Sequence, residues 1–141
     1  MKLGKMERLN IIVDDLIKLS RGTISSCVVT NERGLVVAGK NIDGSSNETL
    51  AAMISLLSDA AMRVNSNLGY GHPKSASIKG HGVLLQIREF LVKSKQFRIG
   101  AVTTGQERSR FYSLRKRIDE RQTENNLGTA AERICRVLED K

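Results

Sequence analysis

The stretch Ile24-Ser25-Ser26-Cys27-Val28-Val29-Thr30-Asn31-Glu32-Arg33-Gly34-Leu35-Val36-Val37-Ala38 decides the fold. Thr23 to Thr30 is rich in side chains branched at Cβ, which suit a pleated strand better than a helix. Asn31-Glu32-Arg33-Gly34 carries turn chemistry: Asn bonds its own backbone locally and Gly reaches positive φ without strain. Leu35-Val36-Val37-Ala38 opens a second strand. Together they make a β-hairpin, so the sheet it seeds is antiparallel.

Outward from the hairpin, Leu9, Ile12, Val13, Leu16 and Ile17 recur at helical spacing, which predicts an amphipathic helix over about 5–20, ended by Gly22. On the other side, Asp43-Gly44-Ser45-Ser46 reads as a loop, and Ser45 with Glu48 as a capping box. The helix that follows runs to about Leu68. Its core stripe is Leu50, Ile54, Leu57, Ala61, Val64 and Leu68, widened by Met53 and Ala60. A different face carries Ala51, Ser55, Ser58 and Met62, small or flexible residues that suit either close approach of a second helix or plain contact with water.

Ser75–Gly80 reads as a short edge strand with few large apolar residues. Val83 to about Phe90 is the clearest strand, with Val83, Leu85 and Ile87 on one face and Gln86 and Arg88 on the other. Lys93-Ser94-Lys95-Gln96 turns the chain into a strand from Phe97 to Thr103. Phe111, Leu114 and Ile118 then mark a helix over about 107–121. Gln122 to Gly128 breaks it, and Thr129 with Glu132 caps a last helix bearing Ala130, Ala131, Ile134, Val137 and Leu138. The expected order is α-β-β-α-β-β-β-α-α in one α+β domain spanning 1–141, an antiparallel sheet covered by helices.

Chemistry is sparse. Gly69-Tyr70-Gly71-His72-Pro73-Lys74-Ser75 imitates a phosphate loop, but Pro73 removes a backbone donor and the context is helix–loop–strand, the reverse of what phosphate binding needs. Gly100–Gly105 is followed by Gln106-Glu107, so the phosphate lysine and magnesium hydroxyl are missing. Thr104-Gly105-Gln106-Glu107-Arg108 resembles a switch segment of Ras-like GTPases, with Val102 where the Asp would stand. Cys27, His72, His81 and Cys135 match no zinc-ligand spacing. No catalytic set, metal site or cofactor is expected. Two Cys make no disulfide framework, no apolar run reaches membrane-spanning length, and the N-terminus lacks a signal-peptide core, so a cytoplasmic location is expected.

The net charge of +8 raises nucleic acid or an anionic membrane surface as a partner. It is spread thinly, apart from a cluster at Arg108, Arg110, Arg115, Lys116 and Arg117 that encloses Phe111-Tyr112, and a second run at Arg88, Lys93, Lys95 and Arg98. A solvated helix face with inward aromatics is the simpler reading of the cluster.

The first hairpin, the capped helix 46–68, the edge strand, the second hairpin and Asn125-Asn126-Leu127-Gly128 together resemble the roadblock / dynein light-chain family, in particular the prokaryotic regulators of Ras-like GTPases. That resemblance implies a profilin-like five-stranded antiparallel sheet with helices on both faces, plus an extra C-terminal helix. It implies homo- or heterodimers paired edge to edge through Ser75–Gly80, with Ser75, Ser77 and Lys79 at the seam and the helix face Ala51, Ser55, Ser58 and Met62 against its counterpart. It also implies a platform for a small GTPase, here Ala52, Leu56, Asp59 and Arg63. Residues 105–124 are a basic helical insertion to which no family role transfers. The expected function is a non-enzymatic dimeric scaffold that modulates a GTPase's nucleotide cycle or localisation. A basic nucleic-acid or membrane module and an adaptor without a GTPase are the alternatives.

Overall fold

The computed structural model describes residues 4–42, 44, 46–104 and 110–140, and of 110–119 the backbone only. The first helix, α1 (Lys5–Leu19), buries Leu9, Ile12, Val13, Leu16 and Ile17, the whole stripe marked by periodicity. It packs on a five-stranded sheet of β1 (Ile24–Thr30), β2 (Val36–Asn41), β3 (Ser75–Lys79), β4 (Val83–Val92) and β5 (Lys95–Thr104). The strand order is β2-β1-β5-β4-β3, with every pair antiparallel. Between the hairpins runs α2 (Asn47–Asn67), and the chain closes with α3 (Arg110–Glu139). The α+β fold expected from the sequence is therefore the fold observed.

Both faces of the sheet are covered. Cys27, Val29, Ile99 and Ala101 pack with α1 and with Leu127, Ala130, Ala131, Ile134 and Val137 of α3. Val28 and Ile87 point the other way and pack with Leu50, Ala51, Ile54 and Leu57 of α2. The switch between Cys27, Val28 and Val29 is the period-2 alternation of a strand buried on both sides.

Close approach of α2 to the sheet rests on two glycines. A Cβ on Gly100 would lie 2.5 Å from Cδ1 of Ile54, and one on Gly34 would lie 2.9 Å from Oγ of Ser55. Gly34 also has φ +78°, the left-handed conformation that glycine adopts without strain. The second hairpin turns tightly at Lys93-Ser94, both at positive φ, with Val92 facing Lys95 and Phe90 facing Phe97 at 5.9 Å between ring centroids. The turn is thus two residues long, shorter than the expected Lys93–Gln96.

Three expectations are corrected. The expected break at Gln122–Gly128 is absent, and one 30-residue helix replaces two. Thr123, Leu127, Ala130, Ala131, Ile134 and Val137 form one unbroken buried stripe, and this packing outweighs the roughly 1 kcal/mol helix penalty of Gly128. Thr129 is accordingly no cap: its hydroxyl donates back to the Asn125 carbonyl at 3.2 Å. The cap of α2 is Ser46, whose Oγ accepts from the Thr49 N–H at 3.0 Å, while Ser45 lies outside the described residues. The Gln86 face of β4 is covered by α3.

Candidate functional site

α2 has two very different sides. Its sheet side buries Leu50, Ala51, Ile54, Leu57 and Ser58. Ala51 and Ser58, expected to meet another helix, are spent inside the chain's own core, Ser58 being only 2% exposed. Small residues point at the sheet because the helix lies close over Gly34 and Gly100. Ser55 is half-buried over Gly34, in the β1–β2 turn, while Met62 is exposed.

Conversely, Met53, Ala60, Val64 and Leu68, expected in the core, are uncovered, Val64 at 55%. At 100° per residue, Met53, Ala60 and Val64 lie on the opposite flank of α2 from Ser55 and Met62. The Ser55 flank sits over the β1–β2 turn, and β2 and β3 are the two opposite edges of the sheet. Met53, Ala60 and Val64 therefore face the β3 side. The outermost stripe, directly away from the sheet, is Ala52, Leu56, Asp59 and Arg63, all exposed, with Leu56 at 71%.

β3 adds a free edge to this apolar flank. Among the described residues it pairs only with β4. Ala76 packs toward α2, and by alternation Ile78 shares that face, where it is 55% exposed. Ser75, Ser77 and Lys79 are exposed on the α3 side, where Lys79 Nζ lies 3.0 Å from Glu120 of α3.

The edge is held in place from beneath. Glu89 of β4 is buried, its Oε1 accepts from Arg98 Nε at 2.9 Å, and its Oε2 lies 3.0 Å from Nε2 of His72 in the α2–β3 loop. The Glu89 N–H donates to the Lys74 carbonyl at 2.8 Å. His72 thus brings the α2–β3 loop beside this carboxylate while remaining exposed to solvent. No local pattern announces this set, since Glu89 and Arg98 are brought opposite only by the β4–β5 register.

The expected basic run of residues 88–98 does not form one face. Arg98 is taken by Glu89, Lys95 lies 3.8 Å from Glu32, and Arg88 points to the α3 side. Of the other basic cluster, Arg110, Arg115, Lys116 and Arg117 lie on the backbone of α3 and Arg108 lies outside the described residues. Cys27 is fully buried and burial pushes its thiol up to about 12, so it is an inert core residue. Cys135 is half-buried against the Leu91 carbonyl and Glu139, with its pKa raised by burial and that carboxylate. Among the described residues no His, Cys, Asp and Glu converge to hold a metal ion, and no helix is long and apolar enough to cross a membrane.

The fold that carries these residues is shared by solved proteins. MglB of Myxococcus xanthus superposes with a TM-score of 0.69 at 12% identity, over 94% of this chain and 95% of that one. An MglB with a tetrameric arrangement gives 0.62 at 14% identity, over 95% of each chain. A Roadblock/LC7 domain from Streptomyces avermitilis gives 0.63 at 16%, over 87% and 91%. Comparison with curated protein sequences gives no match. The Roadblock/LC7 domain family model matches residues 12–89, from within α1 through the first hairpin and α2 into β4, and the chain belongs to the Roadblock/LC7 domain family.

Proposed function

We propose that this protein is a dimeric, non-enzymatic scaffold that binds a small Ras-like GTPase and biases its nucleotide cycle or its location. One observation carries the reading: an uncovered apolar flank on α2 lies beside an unpaired strand edge. An exposed edge strand is a template for pairing, and an exposed apolar patch marks an interaction surface. Two copies joined antiparallel along β3 would pair the free edges, with Ser75, Ser77 and Lys79 along the seam. They would also bring Met53, Ala60, Val64 and Ile78 against their counterparts. In this arrangement the helix contact shifts from the Ala51–Ser55–Ser58–Met62 face to the opposite flank. The tetrameric arrangement of a similar MglB supports self-association of such domains.

Ala52, Leu56, Asp59 and Arg63 stay outward in this dimer and form the platform, with Leu56 as its apolar centre. Roadblock domains of this type act as regulators or adaptors, and this platform offers contacts in place of reactive groups. A platform shifts a switch equilibrium only by binding one nucleotide state better than the other. The test is binding of purified small GTPases, loaded with GDP or a GTP analogue, to wild type and Leu56→Asp. The reading expects state-dependent binding that Leu56→Asp abolishes without changing the dimer. Absence of binding in both states overturns it.

A further inference from the structure

On the other side of the sheet, a cavity of about 180 Å³ opens between β3, β4 and α3. Its polar lining falls into two halves. Arg88 and Ser75 face one another across the β3–β4 ladder, as do Gln86 and Ser77. Arg88 is half-buried, and among the described residues no carboxylate lies within 4 Å of it; its guanidinium runs over Gly128, whose Cβ, if present, would stand 3.7 Å from Cζ. The guanidinium with the Ser75 and Ser77 hydroxyls makes a donor half. Gln86 is 8% exposed, and its Nε2 donates to the Glu120 carbonyl at 3.2 Å. That leaves Gln86 Oε1 buried without a donor. With the Glu124 carboxylate at the rim it makes an acceptor half, and Leu127 is the apolar wall.

We propose that this cavity binds a small ligand carrying a carboxylate beside an N–H donor, as in a free α-amino acid or the C-terminus of a peptide. A guanidinium pairs best with a planar carboxylate, and a buried carbonyl oxygen left without a donor is costly. A simple anion would leave Gln86 Oε1 unmet and would face Glu124. A simple cation would face Arg88. A carboxylate with an adjacent N–H meets both halves at once, and the volume with the Leu127 wall limits the side chain to a small one. This inference is independent of the GTPase platform, which lies on the opposite face of the sheet.

The test is an amide-resolved NMR titration of the full chain with glycine, L-alanine and N-acetylglycine, against acetate and methylamine as half-ligands. Expected are saturable shifts confined to 75–77, 86–88 and 124–128 for at least one amino-carboxylate, weakened about tenfold or more in Arg88→Met. N-acetylglycine alone binding would identify a chain terminus as the source, and L-alanine or glycine alone a free amino acid. Ser77→Ala should weaken binding several-fold and serves if Arg88→Met does not fold; because Ser77 also lies along the proposed β3 seam, light scattering must show the variant's mass unchanged from wild type. No saturable shift with any of the three, equal shifts with acetate alone, or unchanged binding in a folded variant would overturn the proposal.

Discussion

α1 and α2 begin from the same sequence signal, an apolar stripe at helical spacing, and end differently. Every stripe residue of α1 is buried by the chain itself. Half of the stripe assigned to α2 is left in water, while two of its small residues are taken into the core. α1 has one continuous apolar stripe, with Ile11 a lone apolar residue on its outer side and Met6 and Leu19 exposed near its ends. α2 is apolar on most sides, with Ala51, Met53, Ile54, Leu56, Leu57, Ala60, Met62 and Val64 distributed around it. A helix apolar all round has two surfaces to bury, and a single chain with one sheet offers only one. The excess apolar surface of α2 is the physical reason to expect a second molecule there.

The contrast is broken first by truncation, with protein concentration held constant because association adds to apparent stability. Ile54→Ala on the sheet side of α2 is expected to destabilise by about 3–4 kcal/mol, and Leu16→Ala in α1 by a similar amount, in urea denaturation. Leu56→Ala on the outer stripe should stay within about 0.5 kcal/mol. An equally large loss at Leu56 would mean that the outer side of α2 is also core. Gly100→Ala should cost about 2 kcal/mol, since its Cβ would collide with the fully buried Ile54.

Val64→Asp sharpens the contrast differently. It should weaken self-association by about 2 kcal/mol, read from sedimentation, and leave the monomer's far-UV dichroism unchanged. On the α3 side, Gly128→Ala should stabilise by up to about 1 kcal/mol, because it improves helix propensity and its Cβ meets Arg88 only at ordinary contact distance. The smallest effect belongs to α1. Asp14 is held at about 2 by hydrogen bonds from Lys18 and then Lys40. Its folded pKa lies below its unfolded value, so its contribution is present above about pH 4 and is lost as pH falls toward 2. An Asp14→Asn variant should lose that part of the acid dependence in pH-dependent melting curves.

Most of the fold was legible because its signals are local. The Asn31–Gly34 turn, the alternation in β1 and the stripe of α1 each specify one element within a few residues. The errors lie where tertiary contact outranks local preference. Gly128 and the Asn125-Asn126 pair look like a helix end, yet Leu127, Ala130 and Ile134 keep one face against the sheet and carry the helix through. The rotation of α2 was not legible because it depends on Gly34 and Gly100, distant in sequence, which let small helix residues descend onto the sheet. Ala52, Leu56, Asp59 and Arg63, which the family resemblance implied as a platform, lie off the core stripe and are exposed. The Glu89–Arg98–His72 set and the Gln86–Arg88 cavity needed the strand register.

The central claim is that the uncovered flank of α2 and the free β3 edge form one self-association surface. Light scattering of the full chain at about 50 μM, beside Val64→Asp, tests it most directly. The account predicts twice the 15.6 kDa chain mass for wild type and a shift toward a single chain for the variant. A wild-type protein that is monomeric at that concentration, or a variant that dimerises as tightly as wild type, would contradict it.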